Sequence, residues 1–219
     1  STATHQEIYD YVIKGFNTAW KYRFPTFILG DGYQAKMREP LELYDPETRG
    51  IKMADTYPLI GLDGSITAAE REPQHLCNIY SLEEELYDVV MKNTAEYESI
   101  SPEIVEYEER QCEDAEIIIL SHGVVSRAAD DAVKALRAQG IKAGYFRPIT
   151  LRPYPEKELR AAIAQSGAKK LLIAESAYGQ FYRLTRQEIY GETVKMENLF
   201  MPGVGIIDYD IISKVKSIL

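Results

Sequence analysis

Three residues that could do acid–base or anion chemistry follow predicted strands in the second half of the chain. His122 follows the apolar run 117–120, Arg147 follows 143–146, and Glu175 follows 171–174. Because parallel strands end at the same edge of a sheet, the three side chains are expected near one another. His122 could act as a general base oriented by Glu175. Arg147 and Glu175 could instead form an ion pair across neighbouring strand ends, in a structural role or as a ligand contact.

Each of these chemical hypotheses has a simpler alternative. The sequence contains no Gly-x-Ser-x-Gly stretch, so a serine nucleophile is not indicated and His122 is interpreted as a turn residue. Gly203–Gly205 could approach an anion, but it lacks the third glycine of a dinucleotide fingerprint and is predicted to be a tight turn. Cys77 and Cys112 are too few for a four-thiolate site and are interpreted as ordinary thiols. We therefore assign no catalytic residue and no metal ligand.

A second candidate region is the loop that follows the β-prone run 24–29. Asp31 and Arg38 lie on either side of Met37 in the stretch from Gly30 to Pro40. A loop at the carboxyl end of a strand is a favourable place to contact a substrate or a partner. Pro40 is equally consistent with a linker that leaves the domain, so the sequence favours neither interpretation.

The elements that would position these residues are predicted by hydrophobic periodicity. Residues 115–219 alternate apolar runs with helical patterns, which predicts an α/β fold whose mostly parallel sheet is flanked by helices. At the N-terminus, Thr4 and Glu7 have capping-box spacing ahead of a helical stripe, and a strand is predicted at Phe24–Leu29. A lone helix and strand have no adequate core. Residues 1–50 are therefore interpreted as the end of a larger domain, and the chain as a fragment of a longer protein.

Residues 51–114 are predicted to be a linker arm with acidic helices. Ser81 and Glu84 have capping-box spacing, and a new helix is expected to restart at Ser101, with Pro102 at its first position. Between positions 82 and 114 the chain has 12 acidic and 2 basic residues. A solvated helix face explains this acidity better than a metal-binding cluster. The apolar stripe of the first helix comprises Leu82, Leu86, Val89, Val90 and Tyr97.

Composition excludes several classes of protein. The 219 residues are 45% hydrophobic and 27% charged, which is typical of a globular protein, and the formal net charge is −9. There is no basic stripe for nucleic acid and no apolar run of about 20 residues for a membrane span. With two cysteines and no secretory signal in the sequence, a cytoplasmic location is expected.

Several short segments together resemble the alpha subunit of 2-oxoacid:ferredoxin oxidoreductases. Lys21–Gly32 and Met37–Pro40 are similar to the end of that family's pyrimidine-binding-like domain, and Gly30-Asp-Gly32 resembles the 2-ketoisovalerate branch, with the 2-oxoglutarate branch as the alternative. The resemblance implies that residues 115–219 form a transketolase C-terminal-like domain, after a linker over 51–114 and a remnant over 1–50. The segments similar to that domain are Glu113–Glu116, Gly140–Lys142, Arg147–Thr150, Pro153–Pro155 and Glu175–Gln180.

The resemblance implies a function for the complete enzyme rather than for this chain alone. That enzyme would decarboxylate a 2-oxoacid oxidatively on thiamine diphosphate and magnesium, pass electrons through iron–sulfur clusters to ferredoxin, and transfer the acyl group to coenzyme A. No match to the family's N-terminal cofactor-activating part is present, so no cofactor is expected in this chain. Beta-type and other subunits would be its partners, within a homo-oligomer. Interface or binding candidates are Asp31, Met37, Arg38, Glu39, Arg147, Glu175, Tyr178 and Gln180.

The alternative is a self-sufficient non-catalytic α/β module that binds an anionic ligand at its strand ends. An independent hydrolase is disfavoured by the missing nucleophile motif. Under the subunit hypothesis, the chain serves subunit packing and is inactive alone.

Overall fold

A computed structural model describes residues 1–56 and 79–219. Two compact units are formed. The first comprises Ser1–Tyr11, Ile28–Glu42 and Val105–Leu219, and the second comprises Val12–Phe27 and Leu43–Ile104. Residues 57–78 of the linker arm predicted over 51–114 lie outside the described residues. The domain boundaries inferred from the sequence remain a prediction.

The first unit is built on a five-stranded sheet with the order β1-β3-β2-β4-β5. The strands are β1 (Tyr107–Arg110), β2 (Ile117–Leu120), β3 (Ala143–Pro148), β4 (Lys170–Glu175) and β5 (Lys195–Phe200). Strands β2 to β5 pair in parallel, and β1 pairs antiparallel with β3 at the edge. The predicted mostly parallel α/β fold is therefore confirmed, while the charged edge strand β1 was not predicted.

Helices cover both faces of this sheet. Between and after the parallel strands lie α3 (Val125–Ala138), α4 (Glu156–Ser166), α5 (Gln180–Glu188) and α6 (Asp208–Ile218). Ile117 and Ile119 of β2 belong to the cluster packed by α3 and α6, whereas Ile118 and Leu120 belong to the cluster packed by α4 and α5. Because successive side chains of a strand point to opposite faces, a continuous apolar run is buried on both sides.

Two predictions about the rest of the chain are wrong. No strand forms at Phe24–Leu29. Within the described part of the chain, the only backbone–backbone hydrogen bond from this segment is the one that Leu29 O accepts from Thr2 N. A β-prone composition is insufficient without a neighbouring strand. No new helix begins at Ser101 either, since α2 (Glu83–Ile104) continues through Pro102. Pro102 has no N–H to donate to the carbonyl four residues earlier, and the helix ends two residues after it.

The N-terminal helix α1 (His5–Tyr22) starts with the predicted cap. The Thr4 hydroxyl accepts a hydrogen bond from Glu7 N at 3.1 Å, and the Glu7 carboxylate accepts one from Ala3 N at 2.7 Å. The carboxylate therefore reaches one residue further back than a standard capping box requires. Among the described helices, none is both long enough and apolar enough to cross a membrane.

Candidate functional site

The first seven residues lie at the carboxyl ends of β2 and β3. Ser1 N donates to Ile149 O at 2.6 Å, and the Ser1 hydroxyl lies 3.0 Å from His122 Nδ1. Gly123, with φ +60°, permits this approach, because a Cβ built there would lie 3.2 Å from Ser1 Oγ. The edge where an open α/β sheet usually binds ligands is therefore covered by the chain itself.

Arg147, at the end of β3, makes a buried ion pair with Glu7 of α1. Its Nη1 and Nη2 donate to the two Glu7 carboxylate oxygens at 2.9 and 2.6 Å, and Nη2 also donates to Ser1 O at 3.1 Å. Burial opposes ionisation of Glu7, but the hydrogen bonds from Arg147 and Ala3 hold the pKa of this carboxyl below its usual range. The sequence-based idea of an Arg147–Glu175 pair is wrong, since Arg147 is already held bidentately by Glu7.

Glu175, at the end of β4, caps a helix instead. Its two carboxylate oxygens accept hydrogen bonds from Phe181 N and Tyr182 N, each at 3.0 Å, in the first turn of α5. A carboxylate here satisfies free amides and complements the positive end of the helix dipole. The position that an anion would take at this helix is therefore occupied by the protein's own side chain.

The candidates Tyr178 and Gln180 lie in the loop between β4 and α5. Gln180 Oε1 accepts from Tyr178 N at 2.8 Å, and Gly179 adopts φ +86° between them. Tyr178 is 71% exposed, and its ring centroid lies 6.1 Å from that of Phe200. This loop is thus held by local hydrogen bonds while presenting an aromatic ring at the surface. Its role in an interface stays a prediction.

The loop candidates are divided between anchoring and exposed residues. Glu39 accepts hydrogen bonds from His5 N and His5 Nδ1, at 3.1 and 2.8 Å, and pairs with Arg127 of α3. Hydrogen bonds from the His5 side chain and backbone, followed by Arg127, lower the pKa of Glu39 to about 2. Glu39 therefore ties the loop to α1 and α3.

The remaining loop candidates make local contacts or face outward. Asp31 Oδ1 accepts from Tyr33 N at 2.6 Å, Met37 N donates to Gln34 O at 3.2 Å, and Arg38 is exposed. Gln34 is buried, and its side chain accepts from the Thr2 hydroxyl at 3.3 Å. The contacts of Asp31, Met37 and Arg38 do not test an interface role, which remains a prediction.

His122 is a poor general base in this environment. Burial is the largest cause that lowers its pKa to about 4; the positive charge of Arg147 adds to this and Asp31 opposes it. A group with a pKa of about 4 binds protons too weakly to be an effective general base at neutral pH. The ring packs against Phe181, with centroids 4.7 Å apart. Glu175 accepts from the first turn of α5, whereas His122 Nδ1 lies against the Ser1 hydroxyl, so the predicted orientation of His122 by Glu175 is not observed among the described contacts.

The lowered pKa of His122 makes a testable prediction about stability. Between pH 6.5 and about 4, His122 is protonated in the unfolded chain but not in the folded chain. The stability that depends on neutral His122 is therefore fully present above pH 6.5 and is lost as the pH falls. We expect wild type to lose up to about 3 kcal/mol more unfolding free energy across that window than a His122→Gln variant. Urea titrations at several pH values measure it, and parallel pH curves would contradict it.

Sequence reasoning missed most of the residues that close this edge. Glu7 was recognised only as a cap, and Ser1, His5, Gln34 and Arg127 were not singled out. The contacts that these residues make across the edge join positions more than 30 residues apart in the sequence. A periodic sequence pattern does not reveal such long-range pairs. Gly203–Gly205 forms a turn as predicted, with Val204 N donating to Met201 O at 3.2 Å.

Two family models together match nearly the whole chain. The family model "Pyruvate flavodoxin/ferredoxin oxidoreductase, thiamine diP-bdg" matches residues 1–109, and "Pyruvate:ferredoxin oxidoreductase core domain II" matches residues 115–208. In structure, the chain is similar to 2-oxoglutarate:ferredoxin oxidoreductase from Magnetococcus marinus. The TM-score is 0.71 at 19% identity, covering 92% of this chain and 38% of that one, which establishes the fold.

Curated relatives give the same assignment. The chain is 31% identical to ketoisovalerate oxidoreductase subunit VorB of Methanothermobacter marburgensis, over 97% of this chain and 58% of that subunit. It is 29% identical to 2-oxoglutarate synthase subunit KorA of Methanothermobacter thermautotrophicus, over 85% of this chain and 54% of that subunit. The chain thus spans little more than half the length of these relatives. It belongs to the family of 2-oxoacid:ferredoxin oxidoreductases and corresponds to part of one of their subunits.

Proposed function

We propose that the chain is part of the alpha-type subunit of a thiamine-diphosphate-dependent 2-oxoacid:ferredoxin oxidoreductase. The complete enzyme would convert a 2-oxoacid and coenzyme A into acyl-CoA and carbon dioxide while reducing ferredoxin. This chain would contribute packing between segments and subunits rather than catalytic groups. The observation that carries the packing role is the closed strand-end edge, where Glu7 holds Arg147 and Glu175 holds the start of α5.

The cofactors are proposed to bind outside the described residues. Within 1–56 and 79–219, no group of three or more histidine, cysteine or acidic side chains could hold a metal ion. Cys112 is buried, burial raises its thiol pKa to about 12, and its Sγ donates to Tyr145 O. This donor set does not fit magnesium or an iron–sulfur cluster, which need several oxygen ligands or thiolates. We therefore propose that other parts of the complete enzyme hold magnesium and the iron–sulfur clusters.

The anion-binding alternative has less support from the geometry. Arg147 and the first turn of α5 are the groups that would hold an anion at the strand ends, and each already has a carboxylate partner. An incoming phosphate would have to displace Glu7 or Glu175. The packing role needs no such rearrangement. A cytoplasmic location and homo-oligomeric assembly remain part of the proposal.

We propose 2-ketoisovalerate as the substrate, with 2-oxoglutarate as the alternative. Support comes from the Gly30-Asp-Gly32 sequence and from the broader coverage of the chain by the ketoisovalerate relative. Reconstitution tests this. The chain is combined with the family's N-terminal alpha-type portion and a beta-type subunit, and ferredoxin reduction is followed with 2-ketoisovalerate, 2-oxoglutarate and pyruvate.

The expected result is coenzyme A-dependent reduction of ferredoxin that requires this chain and is fastest with 2-ketoisovalerate. A matched mixture without the chain is the control. Equal rates with and without it would contradict the proposed function. A preference for 2-oxoglutarate would overturn only the substrate assignment.

A further inference from the structure

Three buried side-chain atoms in the described part of the chain have no hydrogen-bond partner. They are Gln34 Nε2, Ser121 Oγ and Arg147 Nε. Ser121 is fully buried, and Arg147 is only 2% exposed. An unpaired buried polar atom costs free energy, and nearly all such atoms in folded proteins pair with another protein group or with an ordered water molecule. A partner is therefore expected for each of these atoms.

Ser121 and Arg147 are neighbours on one face of the sheet. The parallel register of β2 and β3 runs up to the residue before each of them, so they form the next pair across two strands that lie about 4.8 Å apart. Side chains alternate between the faces of a sheet, so Ser121 points to the same face as Ile119. In the same way, Arg147 points to the same face as Tyr145. Both of these reference residues belong to the cluster packed by α3 and α6, so the two unpaired atoms share that face.

A partner shared by these two atoms has to be small, because both residues are buried. Ala174 of β4 is the neighbour of Ser121 on its other side, and Ala129 of α3 belongs to the same buried cluster. Such short side chains favour a small space between sheet and helix, whereas another polypeptide segment could reach Ser121 only by opening the fold. A water molecule occupies about 30 Å³ in the liquid and, when buried, needs about two to four polar partners. The surroundings therefore fit one small molecule that hydrogen-bonds to both atoms.

The charges around Arg147 favour water over a small anion. The guanidinium already faces two carboxylates, with Glu7 at 2.6 Å from Nη2 and Glu108 at 3.5 Å from Nη1. An anion at Nε would add a third negative charge beside one positive charge, and like charges repel more strongly where bulk water is excluded. A water molecule is uncharged. Its oxygen can accept from Nε–H, and the Ser121 hydroxyl can donate to it or accept from it.

We propose that one enclosed water molecule bridges Ser121 Oγ and Arg147 Nε. This water supplies the hydrogen bond that Nε lacks, while Nη1 and Nη2 hold the Glu7 carboxylate and Nη2 also holds Ser1 O. The water is therefore a resident part of the packing that fixes residues 1–7 over the ends of β2 and β3. It gives Ser121 a role in this packing, because the hydroxyl connects the end of β2 to the guanidinium on β3.

The sign of the stability change in a Ser121→Ala variant tests for this water. A buried hydroxyl that hydrogen-bonds to water contributes to stability, so its removal should lower the Tm of the chain by about 2–4 °C. A buried hydroxyl without a partner is itself unfavourable, so its removal would raise the Tm. Ser126→Ala is the matched control and should lower the Tm by a similar amount, because the buried Ser126 Oγ donates to Gly123 O at 2.6 Å. An unchanged or higher Tm for Ser121→Ala would overturn the proposal.

A crystal structure of the chain grown in the presence of sodium bromide identifies the molecule directly. We expect a single ordered peak at about 2.7–3.2 Å from both Ser121 Oγ and Arg147 Nε, without anomalous scattering from bromide. An anomalous peak at this position would show that an anion binds there and would overturn the proposal. A direct hydrogen bond between the two side chains, or no ordered peak between them, would overturn it as well.

Discussion

Replacing Glu7 by glutamine is expected to lower the free energy of unfolding by about 3 kcal/mol. The Arg147 side chain is only 3% exposed, and Glu7 supplies the carboxylate that pairs with it. Glutamine keeps the shape of the side chain and can still accept from Ala3 N, so the helix cap survives. The variant removes the close bidentate carboxylate and leaves the buried guanidinium only the longer ion pair of Arg147 Nη1 with Glu108 Oε2 at 3.5 Å, which is why the expected loss is at the lower end for a broken buried pair. Urea unfolding followed by circular dichroism measures the change.

Two further variants make this measurement specific. Glu113→Gln removes an exposed carboxylate and is expected to change stability by less than about 0.5 kcal/mol. Arg147→Met should cost less than Glu7→Gln, since methionine fills the space of the arginine stem and Glu7, at 23% exposure, can be hydrated. If Glu7→Gln were as mild as Glu113→Gln, the ion pair would not hold the N-terminal residues at this edge.

Replacing Gly144 by alanine is expected to destabilise the first unit by about 2–3 kcal/mol. A Cβ at this position in β3 would lie 2.9 Å from Cys112 Sγ and 3.0 Å from both Cys112 Cα and Ala115 Cβ. Two of these three neighbours are a backbone atom and a Cβ, neither of which can rotate away. The turn before β2 would have to shift, and with it the pairing of β2 and β3.

Gly205→Ala is the matched control, because no atom lies within 4 Å of a Cβ built there and its φ is not positive. Thermal unfolding followed by circular dichroism compares the two variants. We expect a clearly lower Tm for Gly144→Ala and an almost unchanged Tm for Gly205→Ala. Equal melting temperatures for the two variants would show that β2, β3 and the turn at Cys112 are packed less tightly than described.

The parallel part of the fold was predictable because short stretches of sequence indicate its strands and helix ends. The apolar run Ile117–Leu120 is long enough for a strand buried on both faces, and Gly140 and Gly167 adopt φ +80° and +67° just after helices. The edge strand Tyr107–Arg110 has the sequence Tyr-Glu-Glu-Arg and gave no apolar signal. Its place depends on pairing with β3, which no local pattern reveals.

The site was less predictable because its contacts are non-local. Arg147 and Glu175 were correctly placed at strand ends, but the sequence could not show that Glu7, 140 positions away, pairs with Arg147. The expected strand at Phe24–Leu29 failed for a related reason, since β-prone residues form a strand only where another strand meets them. Local periodicity thus predicted the helices and strands, whereas contacts between distant parts of the sequence determine which residues the strand ends bind.

We propose that the strand-end edge, which the chain's own side chains close, serves packing and does not bind ligands. Thermal shift of the chain with coenzyme A and with inorganic phosphate tests this role most directly. We expect no saturable rise in Tm with either ligand, because Glu7 and Glu175 already occupy the positions of an anion. A saturable stabilisation that disappears in the Arg147→Met variant would contradict it.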